Sequence, residues 1–148
     1  MSRHLTYGEL TINGIEDLIS HLNITDKDIF IDVGSGYGKL VEIINQKFNC
    51  KSYGIEIDKE KYDISSKIIQ QKKDVRLFNG DLKDFYRIIK VGTIVYSNCT
   101  AFPVEWVEWI YKNSNGIFIH NNRIFNKGTE IKLQVTWKKS YESFYITN

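Results

Sequence analysis

Hydrophobic and polar positions along the chain follow two alternating rhythms. In "GIEDLISHL", residues 14–22, Ile15, Leu18, Ile19 and Leu22 recur at helical spacing. "IFIDV", residues 29–33, is a short β-branched apolar run and predicts a buried strand. A helical face follows in "KLVEIINQKF" (39–48), then a strand in "SYGIEI" (52–57) and a helix in "KEKYDISSKIIQQ" (59–71). The pattern repeats as a strand in "VRLFNGD" (75–81), a short helix in "LKDFYRII" (82–89) and a strand in "VGTIVYSN" (91–98). "PVEWVEWIYKN" (103–113) then reads as a helix opened by Pro103 at its first turn, and "GIFIH" (116–120) as a fifth strand. The tail breaks the rhythm. "EIKLQVTW" (130–137) and "YESFYIT" (141–147) alternate without an intervening helix and predict an antiparallel pair.

Strands alternating with helices imply an α/β fold, a mostly parallel sheet covered on both faces and ending in a hairpin. Ligands in such sheets bind beyond the carboxyl ends of the strands. That edge collects Gly34 to Gly38, Glu56, Gly80, Asp81, Ser97 to Thr100 and His120.

Three glycines at alternate positions, Gly34, Gly36 and Gly38, directly follow the first strand. Such a cluster marks a tight turn or a close approach of backbone to a ligand. A P-loop needs GxxxxGK[ST], but Val33 replaces its first glycine and Leu40 its hydroxyl residue, which removes the magnesium ligand. A dinucleotide fingerprint needs a third glycine where Lys39 stands. The remaining pattern is GxGxG with an acid ending each of the next strands. Glu56 lies twenty residues after Gly36, suited to a ribose diol, and Asp81 in "NGD" could accept from an adenine amino group. No pyrophosphate is implied, so the ligand expected is S-adenosylmethionine. A plain turn at the glycines and a helix cap at Asp81 are the alternatives.

Composition narrows the class. The 148 residues suit one domain, 42% hydrophobic and 26% charged, with a net charge of +2. That charge is too mild for a dedicated nucleic-acid binder. The basic excess gathers late, at Arg123, Lys127, Lys132, Lys138 and Lys139, which predicts a solvated face or a docking surface. Cys50 and Cys99 form no CxxC pair, so reduced thiols in an intracellular protein are expected. No secretory h-region opens the chain, no apolar run reaches the ~20 residues of a membrane helix, and the histidines lack metal spacing.

With these motifs in place the chain resembles the Dot family (disruptor of telomeric silencing) of histone lysine methyltransferases. It is also similar to small archaeal protein-lysine methyltransferases. The resemblance runs from Thr6 to about Thr147 on "TYGELT", "FIDVGSGYGK", "YGIEI", "NGDL", "YSNCTAF" and "VTWKKSYESFYIT". It implies a Rossmann-like seven-stranded methyltransferase fold, residues 1–11 forming a cofactor-contacting arm and 12–148 the core. It implies that Glu9 and Thr11 hold the methionine end, that Asp32, Gly34, Gly36 and Lys39 line the loop, and that Glu56 grips the ribose. Asp81 and Leu82 would hold the adenine. Asn98 would stand between cofactor and target amine, orienting the amine with its side-chain oxygen, and Phe102, Trp137, Phe144 and Tyr145 would wall a lysine channel. Trp106 and Trp109 are expected to pack in the core. Little precedes Thr6, so a minimal form without an N-terminal gating segment is expected.

The implied activity is methylation of a core histone lysine in nucleosomes by a monomer, with DNA contact through the late basic residues; a histone substrate implies the nucleus or another chromatin-containing compartment, any other substrate the cytoplasm. Two rivals stay open: a protein, nucleic-acid or small-molecule methyltransferase of the same fold, and a non-catalytic adenosine-binding module.

Overall fold

A computed structural model of the protein describes residues 9–148 apart from Gln70 and Lys72. Thr6, Tyr7 and Gly8 of "TYGELT" therefore lie outside the described residues. Helices α1 (Ile12–Ser20), α2 (Lys39–Phe48), α3 (Lys59–Ile68), α4 (Tyr86–Val91) and α5 (Val104–Asn113) alternate with strands. The strands are β1 (Ile29–Val33), β2 (Lys51–Glu56), β3 (Val75–Asn79), β4 (Ile94–Ser97) and β5 (Ile117–His120), followed by β6 (Thr129–Gln134) and β7 (Tyr141–Thr147). They form one seven-stranded sheet of order β3-β2-β1-β4-β5-β7-β6. β1 to β5 run parallel, and β7 inserts antiparallel between β5 and β6.

Side-chain alternation in the strands feeds two cores. Phe30, Tyr96, Ile119 and Phe144 face α1 and α2, meeting Leu18, Leu40 and Ile44. Ile31, Val33, Val95 and Phe118 face α4 and α5, meeting Ile89, Val107 and Ile110. The first core holds an aromatic stack across three strands, with ring centroids 6.4 Å apart for Phe30–Tyr96 and 5.9 Å for Tyr96–Phe144. β1 is the switch point: its neighbours β2 and β4 lead the chain outward in opposite directions, opening a crevice at the carboxyl ends.

Local chemistry sets the boundaries. α1 starts two residues before the apolar periodicity because Thr11 caps it, its hydroxyl accepting from Gly14 N at 3.1 Å. α3 stops short of the expected residue 71, since Ile69 turns extended and buries itself against Val41, Val75 and Leu77. The segment expected as one short helix is a 3-10 turn at Leu82–Phe85, capped by Asp81, followed by α4. β6 ends at Gln134 rather than Trp137, because the chain there pairs with the arm: Leu10 bridges Val135, Thr11 N donates to Gln134 O and Thr136 N to Glu9 O.

This junction leaves no room beside Gly14, where a Cβ would drive into the carbonyl oxygen of Gln134. Gly14→Ala is expected to destabilise the protein by ~1–3 kcal/mol, the usual cost of overpacking, despite alanine's better helix propensity. Equilibrium denaturation measures it. A stabilised variant would show that the arm is not seated on β6.

Candidate active site

The glycine loop after β1 is held open-mouthed by its own backbone. Gly34, Gly36 and Gly38 have φ of 89°, 56° and 79°, left-handed values that a side chain would strain. The N–H groups of Gly34 and Ser35 both donate to Ile55 O, at 2.7 and 3.0 Å. Gly36 N donates to Glu56 Oε1 at 2.6 Å, and Asp58 N donates to Glu56 Oε2 at 3.0 Å. Glu56 is 8% exposed. A carboxylate has about four acceptor sites, so two bonds leave capacity for a ligand's hydroxyls. Asn79 Nδ2 braces this strand end, donating to Glu56 O at 2.8 Å.

Two cavities open at this edge. The larger, of about 180 Å³, runs from Glu56, Asp81 and Leu82 to an aromatic mouth of Phe102, Trp106 and Trp137. The smaller, of about 30 Å³, lies between Glu9, Asp32, Ser35 and Lys39. Gly34 and Asn98 border both.

Asp32 is the electrostatic anomaly. It is buried on the wall of the smaller cavity, and among the described residues its Oδ1 has no hydrogen-bond partner. Burial, then the nearby charge of Glu56, raises its pKa well above the ordinary carboxylate range. A cationic donor would satisfy that oxygen. Lys39 is not that donor: its ammonium lies 3.9 Å from the Glu9 carboxylate in a half-exposed pair. The donor set therefore fits a ligand with a hydroxyl-bearing nucleoside at Glu56 and an ammonium at Asp32.

Asn98 is fixed by its own loop and by a residue just past β5. Its Oδ1 accepts from Thr100 Oγ1 at 2.7 Å, Asn121 Nδ2 at 3.0 Å and Thr100 N at 3.3 Å. Asn121, just past β5, also accepts from Cys99 N through Oδ1 at 2.6 Å. Burial pushes the Cys99 thiol up to about 12, which keeps it protonated at neutral pH and unfit as a nucleophile. His120 is fully buried. Its Nδ1 accepts from Asn122 N at 3.1 Å, so its Nε2 donates to Lys127 O at 3.1 Å, a neutral tautomer that burial favours by lowering the pKa. Among the described residues no group of three His, Cys, Asp or Glu could hold a metal ion, and no helix is long and apolar enough to cross a membrane.

The structure gathers most of the residues expected at the site. Gly34, Gly36, Glu56, Asp81, Leu82, Asn98, Phe102 and Trp137 lie on the larger cavity and Glu9, Asp32 and Lys39 on the smaller. Asp81 also caps the following turn, accepting from Lys83 N at 2.9 Å. Three placements differ from expectation. Thr11 lines neither cavity, its hydroxyl being spent on Gly14 N and on Gln134 Oε1 at 2.6 Å. Phe144 is 0% exposed, locked in the stack on Tyr96. Tyr145 lies on the opposite sheet face against His120 and lines neither of these two cavities; neighbours on a strand cannot both face one channel. Trp106 packs against the α4/α5 core as Trp109 does, but it also borders the larger cavity, its ring 5.4 Å from Phe102. The four-residue spacing of Phe102 and Trp106 was a signal that could have found it. Asn121 carried none, since its partners are more than twenty residues away in sequence.

The family model of the histone methylation protein DOT1 matches residues 2–143. A Dictyostelium discoideum protein named histone-lysine N-methyltransferase, H3 lysine-79 specific, is 29% identical over 133 residues, covering 90% of this chain and 7% of its own length. The Caenorhabditis elegans protein of the same name is 43% identical over 53 residues, 35% of this chain and 6% of its own. The chain thus spans under a tenth of these relatives. Among solved structures, an RNA methyltransferase from Salinibacter ruber in complex with S-adenosyl-L-homocysteine is similar at TM-score 0.74 and 15% identity, covering 93% of this chain and 91% of that one. A putative S-adenosyl-L-methionine-dependent methyltransferase from Methanococcus maripaludis gives TM-score 0.61 at 15% identity, covering 90% and 84%. At that identity the likeness is one of fold.

The raised pKa of Asp32 has a thermodynamic consequence. Where the folded-state value exceeds the unfolded one, the folded protein holds a proton that the unfolded chain releases. The resulting cost grows as pH rises above ~3.9, the ordinary Asp value, until it is complete above the folded value. Asp32→Asn is therefore expected to raise the melting temperature of the ligand-free protein at neutral pH, with an advantage that shrinks towards pH ~4. A variant equal to the parent across this range would mean that Asp32 is not strained.

Proposed function

The chain belongs to the family of the histone methylation protein DOT1, and on that premise we propose that it is an S-adenosylmethionine-dependent protein-lysine methyltransferase acting on a core histone in nucleosomes. The observation that carries this reading is the meeting of the two cavities at Gly34 and Asn98. When bound, S-adenosylmethionine supplies a methyl group activated by a sulfonium, and transfer leaves S-adenosylhomocysteine. In its structure the sulfur joins the nucleoside to the amino acid. Glu56 would hold the nucleoside and Asp32 the ammonium, and the residues between them, Gly34 and Asn98, would flank the reacting part of the ligand.

Each group in this chain then has a task. Glu56 would accept from the ribose hydroxyls, Asp81 from the adenine amino group, and Asp32 from the ammonium. Leu82 packs on the base. Lys39, paired with Glu9, adds little net positive charge beside a cationic ligand. The target lysine must arrive neutral, although its free pKa is ~10.4. The Phe102, Trp106 and Trp137 mouth disfavours the ammonium once water is expelled, so the proton leaves to bulk solvent. The same ring faces attract the cation during approach. Asn98 walls the junction; with three donors already on its oxygen, it positions through shape and not as a free acceptor.

The late basic residues are the proposed contact to nucleosomal DNA, by a monomer in a chromatin-containing compartment. Part of their charge is neutralised within the chain: Arg123 and Lys138 reach Glu142 at 3.2 and 2.8 Å, and Lys132 reaches Glu130 at 3.4 Å.

Incubation with methyl-labelled S-adenosylmethionine and nucleosomes, free histones, an unrelated lysine-rich protein and bare DNA tests the reading. Label is expected on one histone, favoured in nucleosomes; label on DNA alone would sink it. Glu56→Ala is expected to weaken S-adenosylhomocysteine binding by ~1.5–3 kcal/mol, the worth of hydrogen bonds to a charged group. Calorimetry checks this, and an unchanged affinity would move the ribose elsewhere.

A further inference from the structure

We propose that Asn121 is a positioning residue that locks the side chain of Asn98 at the junction of the two cavities. The proposal rests on the methyltransferase reading above for what the junction does, and on hydrogen-bond geometry for how it is held.

The orientation of both amides is forced. Cys99 N–H can only donate, so the Asn121 atom 2.6 Å from it is the oxygen. The other end of Asn121 is then its Nδ2, which donates to Asn98 Oδ1 at 3.0 Å and to Thr100 Oγ1 at 3.3 Å. Thr100 N–H, again donor only, fixes Asn98 Oδ1 independently. Neither amide can flip without setting an oxygen against an oxygen or an N–H against an N–H. Asn121 is 5% exposed and lines neither cavity. It acts on the site through Asn98 and through the backbone of Cys99. Its location just past β5 also ties the β4–α5 loop, which carries Asn98, Thr100 and Phe102, to the neighbouring strand.

A positioning role differs from a merely structural one in a specific way. Asn121→Asp keeps the shape and the acceptor for Cys99 N but replaces the donor to Asn98 with a carboxylate oxygen. Two acceptors then face each other, and Asn98 must turn away from Thr100 N or shift. Misplacement of about 1 Å at a reacting centre costs on the order of a hundredfold in rate, so a fall in kcat of roughly tenfold to a hundredfold is expected. The acceptor KM should change less. S-adenosylhomocysteine affinity, read by calorimetry without turnover, should weaken about fivefold, the worth of a neutral hydrogen bond.

The deciding measurement is a double-mutant cycle with Asn98→Ala, reading kcat on nucleosomes and S-adenosylhomocysteine affinity in the full chain. If Asn121 acts through Asn98, then Asn121→Asp costs within about twofold of nothing once Asn98 is Ala. An equal cost in both backgrounds, or none in the parent, overturns the proposal. Coupling in ligand affinity from a protein that methylates no histone would uphold the positioning and remove the histone reading. A parent that binds no S-adenosylhomocysteine would overturn both. Should Asn121→Asp fail to fold, Asn121→Ala removes the same donor; its cost through Cys99 N falls equally in both backgrounds, so the cycle still isolates the part that runs through Asn98.

Discussion

The 2.6 Å hydrogen bond from Gly36 N to Glu56 Oε1 ties the first strand-to-helix loop to the end of the second strand, and the site is arranged around it. It spends part of a buried carboxylate on the protein itself and orients the remainder toward the cavity. The loop can accept this pull because its glycines adopt left-handed backbone at no steric cost. Gly34 serves a second end: a Cβ there would stand 3.3 Å from the Phe102 ring, crowding the larger cavity that both residues line. Turn, buried acid and aromatic mouth are thus one mechanical assembly.

A second constraint comes from the chain's two ends. Residues 9–11 lie along 134–136 through backbone hydrogen bonds, so Glu9 of the smaller cavity and Trp137 of the larger hang from the same short antiparallel junction. Thr11 is the rivet, capping α1 and donating to Gln134. Residues 9–11 are therefore part of the sheet's edge, and the two walls of the site have a common mechanical base. Asp32 pays in the opposite direction. A carboxylate buried with an unpartnered oxygen beside a second acid costs stability in the ligand-free protein. Such local expense is common where a site is shaped for a charged ligand.

How much of this was legible in the chain follows from the range of the interactions. Strand and helix periodicity fell within a few residues of the observed elements, because burial of one face has a period of 2 or 3.6 wherever the element sits. The glycine loop, Glu56 and Asp81 were also readable. Their placement depends on backbone conformation and on position at strand ends, both of which are local. Where periodicity misjudged a boundary, a cap or a packing contact intervened: Thr11 lengthened α1, and Ile69 shortened α3.

The aromatic residues and the amide network belong to the tertiary structure. Phe144 and Tyr145 looked like channel walls in sequence, but strand pairing sent one into the Tyr96 stack and the other onto His120. Trp106 serves twice, packed against the α4/α5 core and bordering the cavity mouth beside Phe102. Asn121 meets Asn98 because parallel strands β4 and β5 end side by side, a proximity with no local trace. The sequence by itself determined the alternating elements, the glycine turn and the acids that flank it, since each answers to neighbours a few residues away. Which side chains face the cavity, and which amides hold them there, was decided only when the sheet assembled, since a strand's face and its neighbours depend on register and order.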